Sequence, residues 1–218
     1  MTKPRSWQRR WTRMSEFFTS TGSFLTDCFV MALVMIFVEN MIFTRALGTS
    51  TALVIIRKKN NLLVFGLILT LITVFSGIVT WFMQPVLEDL PNANYYRPLI
   101  YAAVISLVYL LALVICGYLP ERWQEKVKPM IHITAFNCVV LGTLLLAASE
   151  KLSFGASLGF GIGAGVGFAL AMFFLSVAYD YLYSEAIPKA FRGFPVLLIY
   201  IGLLSLAFYG LVGHQLPY

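Results

Sequence analysis

The sequence predicts an all-α integral membrane protein whose six transmembrane helices form two inverted three-helix repeats. Three observations carry this expectation. Hydrophobic residues make up 59% of the chain and charged ones 12%, with mean hydropathy +0.81, whereas a soluble domain is about 25% charged. The apolar residues gather into six runs, each long enough for the roughly 20 residues a bilayer crossing takes. Both halves also open with a run carrying an Asn followed by a Leu-Gly pair: Asn40 before Leu47-Gly48, and Asn137 before Leu141-Gly142. Two cleaner runs follow each. Three spans per repeat is an odd number, so the second copy enters the membrane inverted, which puts the interrupted helices near the midplane.

The runs come in this order. Residues 24–56 are too long for one simple span and are interrupted by Glu39, Asn40, Arg45 and Gly48. Residues 62–83 carry no charge, and residues 99–119 end at Pro120. The fourth run, 130–149, holds His132, Asn137 and Cys138; residues 156–183 and 195–213 complete the set. Backbone groups in lipid must bond internally, which makes helices the spanning form. Residues 1–22 read as a basic N-terminal extension and residues 23–218 as the membrane domain.

The net charge of +6 belongs to juxtamembrane positions, not to a nucleic-acid surface. Lys3, Arg5, Arg9, Arg10 and Arg13 crowd the head, which has no signal-cleavage site and suits an anionic lipid surface. With six spans, one side receives Arg45, Arg57, Lys58, Lys59, Arg122, Lys126, Lys128, Lys189 and Arg192, and the other only Arg97 and Lys151. This asymmetry puts the nine cations on the cytoplasmic side of a cell membrane and both termini outside; the basic head argues the reverse.

Glu39 is costly at depth, because a carboxylate at the bilayer centre costs at least about 2.5–3.5 kcal/mol. It is either a cation or proton site or an interfacial residue at a helix end, with Arg45 as its partner. Cys138 beside Asn137 is a small buried hydrophobe by default. Cys28 and Cys116 read as packing residues, and the spacing of the three cysteines does not point to a disulfide framework. Gly155, Gly159, Gly163 and Gly167 recur every four residues. They form a smooth ridge that lets another helix approach closely in lipid; the surrounding stretch lacks the register and preceding strand of a nucleotide-binding loop. The sequence has no Ser/His/Asp arrangement and no HExxH, so it presents no catalytic apparatus of its own.

Four stretches resemble the membrane subunits of the Rnf and Nqr respiratory complexes. Ile187 to Pro195, IPKAFRGFP, and Gly202 to Gly210, GLLSLAFYG, are similar to the V-P-x-P-F-R-G and G-L-M-S-L-A-F-x-G patterns of the RnfA/NqrE type. Asn137 onward, NCVVLG, resembles N-C-A-V-L-G of the family's fourth helix. Glu39 to Thr51 resembles the first-helix segment N-N-x-x-L-x-x-x-L-G-x-C. The resemblance implies a six-helix inverted-repeat subunit paired with a sister subunit of opposite topology. Each partner would give two cysteines to a shared [2Fe-2S] cluster. Electrons would pass between flavin and iron–sulfur subunits of the same complex, coupled to Na⁺ or H⁺ movement. Cys138 matches one ligand position; Ser50 stands where the second thiolate falls. Three readings follow: an unusual oxygen ligand, a cluster-free paralogue acting as a transporter or scaffold subunit, or substitution by Cys28. With Cys138 and Ser50 as metal positions, Glu39, Asn40 and Asn137 are expected as midplane polar residues.

Overall fold

A computed structural model of the chain describes residues 23–56, 62–88, 93–182, 185 and 187–212. The basic head and the Arg57-Lys58-Lys59 run lie outside the described residues. Within them the protein is helical, in the order α1 (Ser23–Val38), α2 (Thr49–Ile56), α3 (Leu62–Glu88), α4 (Ala93–Gly117), α5 (Glu121–Ala135), α6 (Cys138–Ser149), α7 (Phe154–Leu182) and α8 (Phe194–Val212). Three helices are long and apolar enough to cross a membrane, or four if the bent pair α5–α6 counts as one span. Among the described residues there is no strand, and the architecture is that of an all-helical membrane protein.

Two of the expected runs are broken. The first divides where α1 ends in a π turn, Val34–Val38, closed by the Glu39 N–H on the Val34 carbonyl at 2.8 Å. Residues 39–48 then form turns containing Ala46 at φ 54° and Gly48 at φ 73°. The fourth run starts nine residues earlier than the apolar pattern suggests, at Glu121 rather than Met130. The stretch from Glu121 to Lys128, expected as a connection, is the amphipathic start of α5. Pro120 caps it, and Glu121 sits at the positive end of the helix dipole. That helix breaks at Phe136-Asn137, and α6 leaves at 49°. Arg45, counted among the loop cations, lies inside the first break.

Helix α7 is the centre of the packing. It meets α1, α3, α6, α2 and α8, with α3 its most extensive partner. Gly155, Gly159, Gly163 and Gly167 face α1. A Cβ on Gly159 would overlap the Cys28 carbonyl oxygen, and one on Gly163 would lie 2.5 Å from that of Ala32. A second row faces α3, where a Cβ on Gly165 would overlap the Thr70 hydroxyl. Gly66 of α3 answers it against Ala169. Phe65, Leu69, Phe168, Met172 and Leu175 fill the space between these backbones.

The ends of the helices sort into two groups. Asp27 of α1 accepts from Ser153 at 3.5 Å, and Trp81 Nε1 of α3 donates to the Leu152 carbonyl at 3.2 Å. The start of α1, the end of α3 and the α6–α7 connection therefore share one end. At the other, Ile55 of α2, Phe65 of α3, and Glu125 and Lys126 of α5 line one pocket, and Gln124 Nε2 bonds to the Leu119 carbonyl at 2.7 Å.

Candidate functional site

The two breaks meet. Gly48 closes the first, and its N–H donates to the Cys138 sulfur at 3.0 Å. Leu47 and Gly48 fit against the other half: a Cβ on Gly48 would lie 2.5 Å from Val139 and 2.6 Å from Phe168, and one on Gly142 would lie 2.5 Å from Leu47. The Leu-Gly pair read from the first half thus seats on its counterpart in the second. Cys138 is the first residue of α6, so its sulfur sits at the positive end of that helix dipole. The side chain is exposed.

The two asparagines hold the breaks in different ways. Asn40 is fully buried. Its Nδ2 donates to the carbonyls of Gly167 at 2.8 Å and Ile36 at 3.1 Å. Its Oδ1 accepts from the N–H groups of Ile42 and Phe43. The absent side chain of Gly167 is what lets Asn40 come this near to α7. Asn137 caps α6, with Oδ1 accepting from Val139 N–H at 3.1 Å. The Cys138 thiol points at the same oxygen from 3.7 Å. The Nδ2 of Asn137 is buried without a hydrogen-bond partner among the described residues.

Glu39 sits at the first break and pairs with Arg45, Oε2 to Nη2, at 2.6 Å. Both side chains are 41% exposed. Ser50 lies in the first turn of α2, two residues after Gly48, and is exposed. Cys28 lies within α1, and its backbone is pressed against Gly159; Cys116 is buried on α4. Among the described residues no three of His, Cys, Asp and Glu gather as a metal-holding group. Tyr109 and His132, not expected together, bond at 2.6 Å between hydroxyl and Nδ1, with Phe136 against the Tyr109 ring. The sequence carries no periodic signal for that pair, because it joins α4 to α5 across a turn.

Two broken helices that meet at an exposed thiol, braced by long spans, define a helical membrane protein built around paired half-helices. The chain belongs to the Rnf-Nqr family of membrane subunits: the family model described as "Rnf-Nqr subunit, membrane protein" matches residues 28–214. Among curated relatives it is similar to the A subunit of the ion-translocating oxidoreductase complex of Syntrophotalea carbinolica, 31% identical over 82% of this chain and 92% of the relative. It is also similar to the A subunit of the Na⁺-translocating ferredoxin:NAD⁺ oxidoreductase complex of Acetobacterium woodii, 29% identical over 88% of this chain and the relative's whole length. The corresponding protein of an Azoarcus species is 28% identical over 81% of this chain and 91% of its own.

Proposed function

We infer that this chain works in the membrane as part of an Rnf-type ion-translocating electron-transport complex, beside the complex's other subunits. Membership of the family and likeness to these relatives along nearly their whole lengths support this. The observation that carries the site reading is the bond from Gly48 N–H to the Cys138 sulfur. It brings both breaks to one exposed thiol, where electrons passing through the membrane would need a carrier.

The chain is read as six spans in two inverted repeats, with α1–α2 and α5–α6 as the broken first members. A broken helix followed by two apolar helices occurs twice, with α8 the shortest of the four, and each break carries an Asn, which supports that reading. The proposed setting is a cytoplasmic membrane, with the start of α5 facing the cytoplasm.

A [2Fe-2S] cluster shared with a sister subunit of opposite topology is part of the same proposal. The donor set fits it on one side: the Cys138 sulfur is exposed, receives a backbone N–H and sits at a helix N-terminus, an environment that favours a negatively charged ligand. A cluster there would supply one-electron transfer toward the flavin and iron–sulfur subunits. Ser50 gives oxygen at the second position, a harder donor than thiolate. That residue supports a second reading, a cluster-free paralogue acting as a transporter or scaffold subunit. Glu39, charge-balanced by Arg45 at the break, is the proposed polar site for ion or proton passage.

The test is to co-express the chain with its genomic neighbours, purify the assembly and record electron paramagnetic resonance after reduction. A reducible [2Fe-2S] signal that is lost in Cys138→Ala supports the redox reading. A complete, iron-free assembly would sink the electron-transfer role and leave the cluster-free one.

A further inference from the structure

A groove of about 300 Å³ runs between α3, α4 and α5, away from the two breaks, and is lined only by apolar residues and Cys116. Its floor is buried: Ile68, Ile72, Val108, Cys116 and Ile131. Its walls, Leu71, Phe75, Leu111 and Ile115, are each about half exposed. A convex lipid-facing helix meets lipid on one side only, whereas this groove would enclose a guest on three.

Three observations select the guest. The first is calibre. From Val108 to Cys116 the groove runs about 12 Å along α4 at the helical rise, room for a slender chain lying lengthwise, whereas a helix about 10–12 Å across would seat only side-chain tips in it. The second is depth. The groove starts at Leu119 and Val127, where α4 gives way to α5, and ends near mid-span at Phe75 and Val108. That reach is close to one leaflet, about half of a 30 Å hydrocarbon core. The third is charge. The turns of α5 at the open end carry Arg122, Lys126 and Lys128, all exposed, against Glu121 and Glu125. The exposed Trp123 stands among them, a residue suited to the headgroup level.

We propose that this groove is a binding site for one acyl chain of an anionic phospholipid, with its headgroup held at the basic start of α5. The apolar floor accounts for the chain, and the net positive turns account for the preference among headgroups.

The complex is purified in mild detergent, exchanged into nanodiscs of phosphatidylcholine with phosphatidylglycerol as the minor component, and its retained lipid measured by native mass spectrometry. One phosphatidylglycerol per chain should survive delipidation. Ala112→Phe, which fills the groove, should lower that occupancy about tenfold. Replacing Arg122, Lys126 and Lys128 by Gln should abolish the preference for phosphatidylglycerol while chain capture persists. No retained lipid, equal retention in Ala112→Phe, or retention without headgroup preference would overturn the proposal. A photo-crosslinking residue at the exposed wall position Leu111 keeps the test decisive if the filled variant misfolds. Labelling of phospholipid supports the site, and labelling of another protein of the complex overturns it.

Discussion

The N–H of Gly48 and the sulfur of Cys138 lie 3.0 Å apart although 90 residues separate them in the chain. That bond fixes the end of one broken helix on the beginning of another. Gly48 reaches it with φ 73°, a conformation costing other residues about 1–2 kcal/mol. Gly48→Ala adds that cost to a clash with Val139 and Phe168, typically about 1–3 kcal/mol more. The purified complex should melt several degrees lower. Gly142→Ala meets only the flexible tip of Leu47 and should cost less. Differential scanning fluorimetry of the two variants ranks them; equal melting temperatures would remove the special role of Gly48.

The asparagines should differ in the same assay. Asn40→Ala leaves the Ile42 and Phe43 amides and the Ile36 carbonyl short of a partner and cuts the tie to α7, a loss of about 3 kcal/mol. Asn137→Ala removes a cap worth about 1 kcal/mol, and it also removes a buried Nδ2 that had no partner among the described residues. The expected order of stability is therefore wild type, Asn137→Ala, Asn40→Ala.

Close backbone contact between α1 and α7 makes Gly159 intolerant. The atom an added Cβ would strike is a main-chain oxygen, which cannot rotate away. Gly159→Ala should reduce the yield of monodisperse protein severalfold on size-exclusion chromatography. Gly117→Ala, with open space around it, should leave the yield unchanged.

Glu39 and Arg45 are each 41% exposed in the isolated chain, and if water reaches the break, as an ion path there requires, their coupling in a double-mutant cycle should stay under about 1 kcal/mol. Glu39→Gln should then leave folding intact. If ions pass at Glu39, the same variant loses ion uptake into proteoliposomes while electron transfer to the acceptor continues. Unchanged uptake would reduce Glu39 to an interfacial partner of Arg45.

Ser50→Cys restores the thiol that the resemblance calls for. Iron per complex should rise and the reduced spectrum shift if Ser50 faces a cluster. Unchanged iron content would place the ligand elsewhere or nowhere.

What the sequence disclosed and what it concealed divide along physical lines. The glycine period, the polar residues Glu39, Asn40 and Asn137 inside apolar runs, and the interruption of the first run were legible, because spacing and the expense of polar groups in lipid are local properties. The bend at Phe136-Asn137 was not, since Phe136 and Cys138 are apolar enough to continue a hydropathy run. The start of α5 was hidden for the opposite reason: its charged residues look like a loop until Pro120 is recognised as a cap. Gly161 and Gly165 belong to the same stretch as the recognised ridge but turn to α3, and only packing shows that one helix carries two such faces. The meeting of Gly48 with Cys138 is a long-range contact without local signature.

Those two glycine faces make α7 behave as a keyed shaft. With Cys28 and Ala32 locked on one flank and Thr70 on the other, α1 and α3 cannot roll about it without backbone collision. The turn between them is held the same way, by Asn40 on that shaft through Gly167 and by Gly48 on Cys138, with Met41, Ile42 and Phe43 buried in the core. The first break is thus a rigid elbow, clamped at both ends to the second half of the molecule.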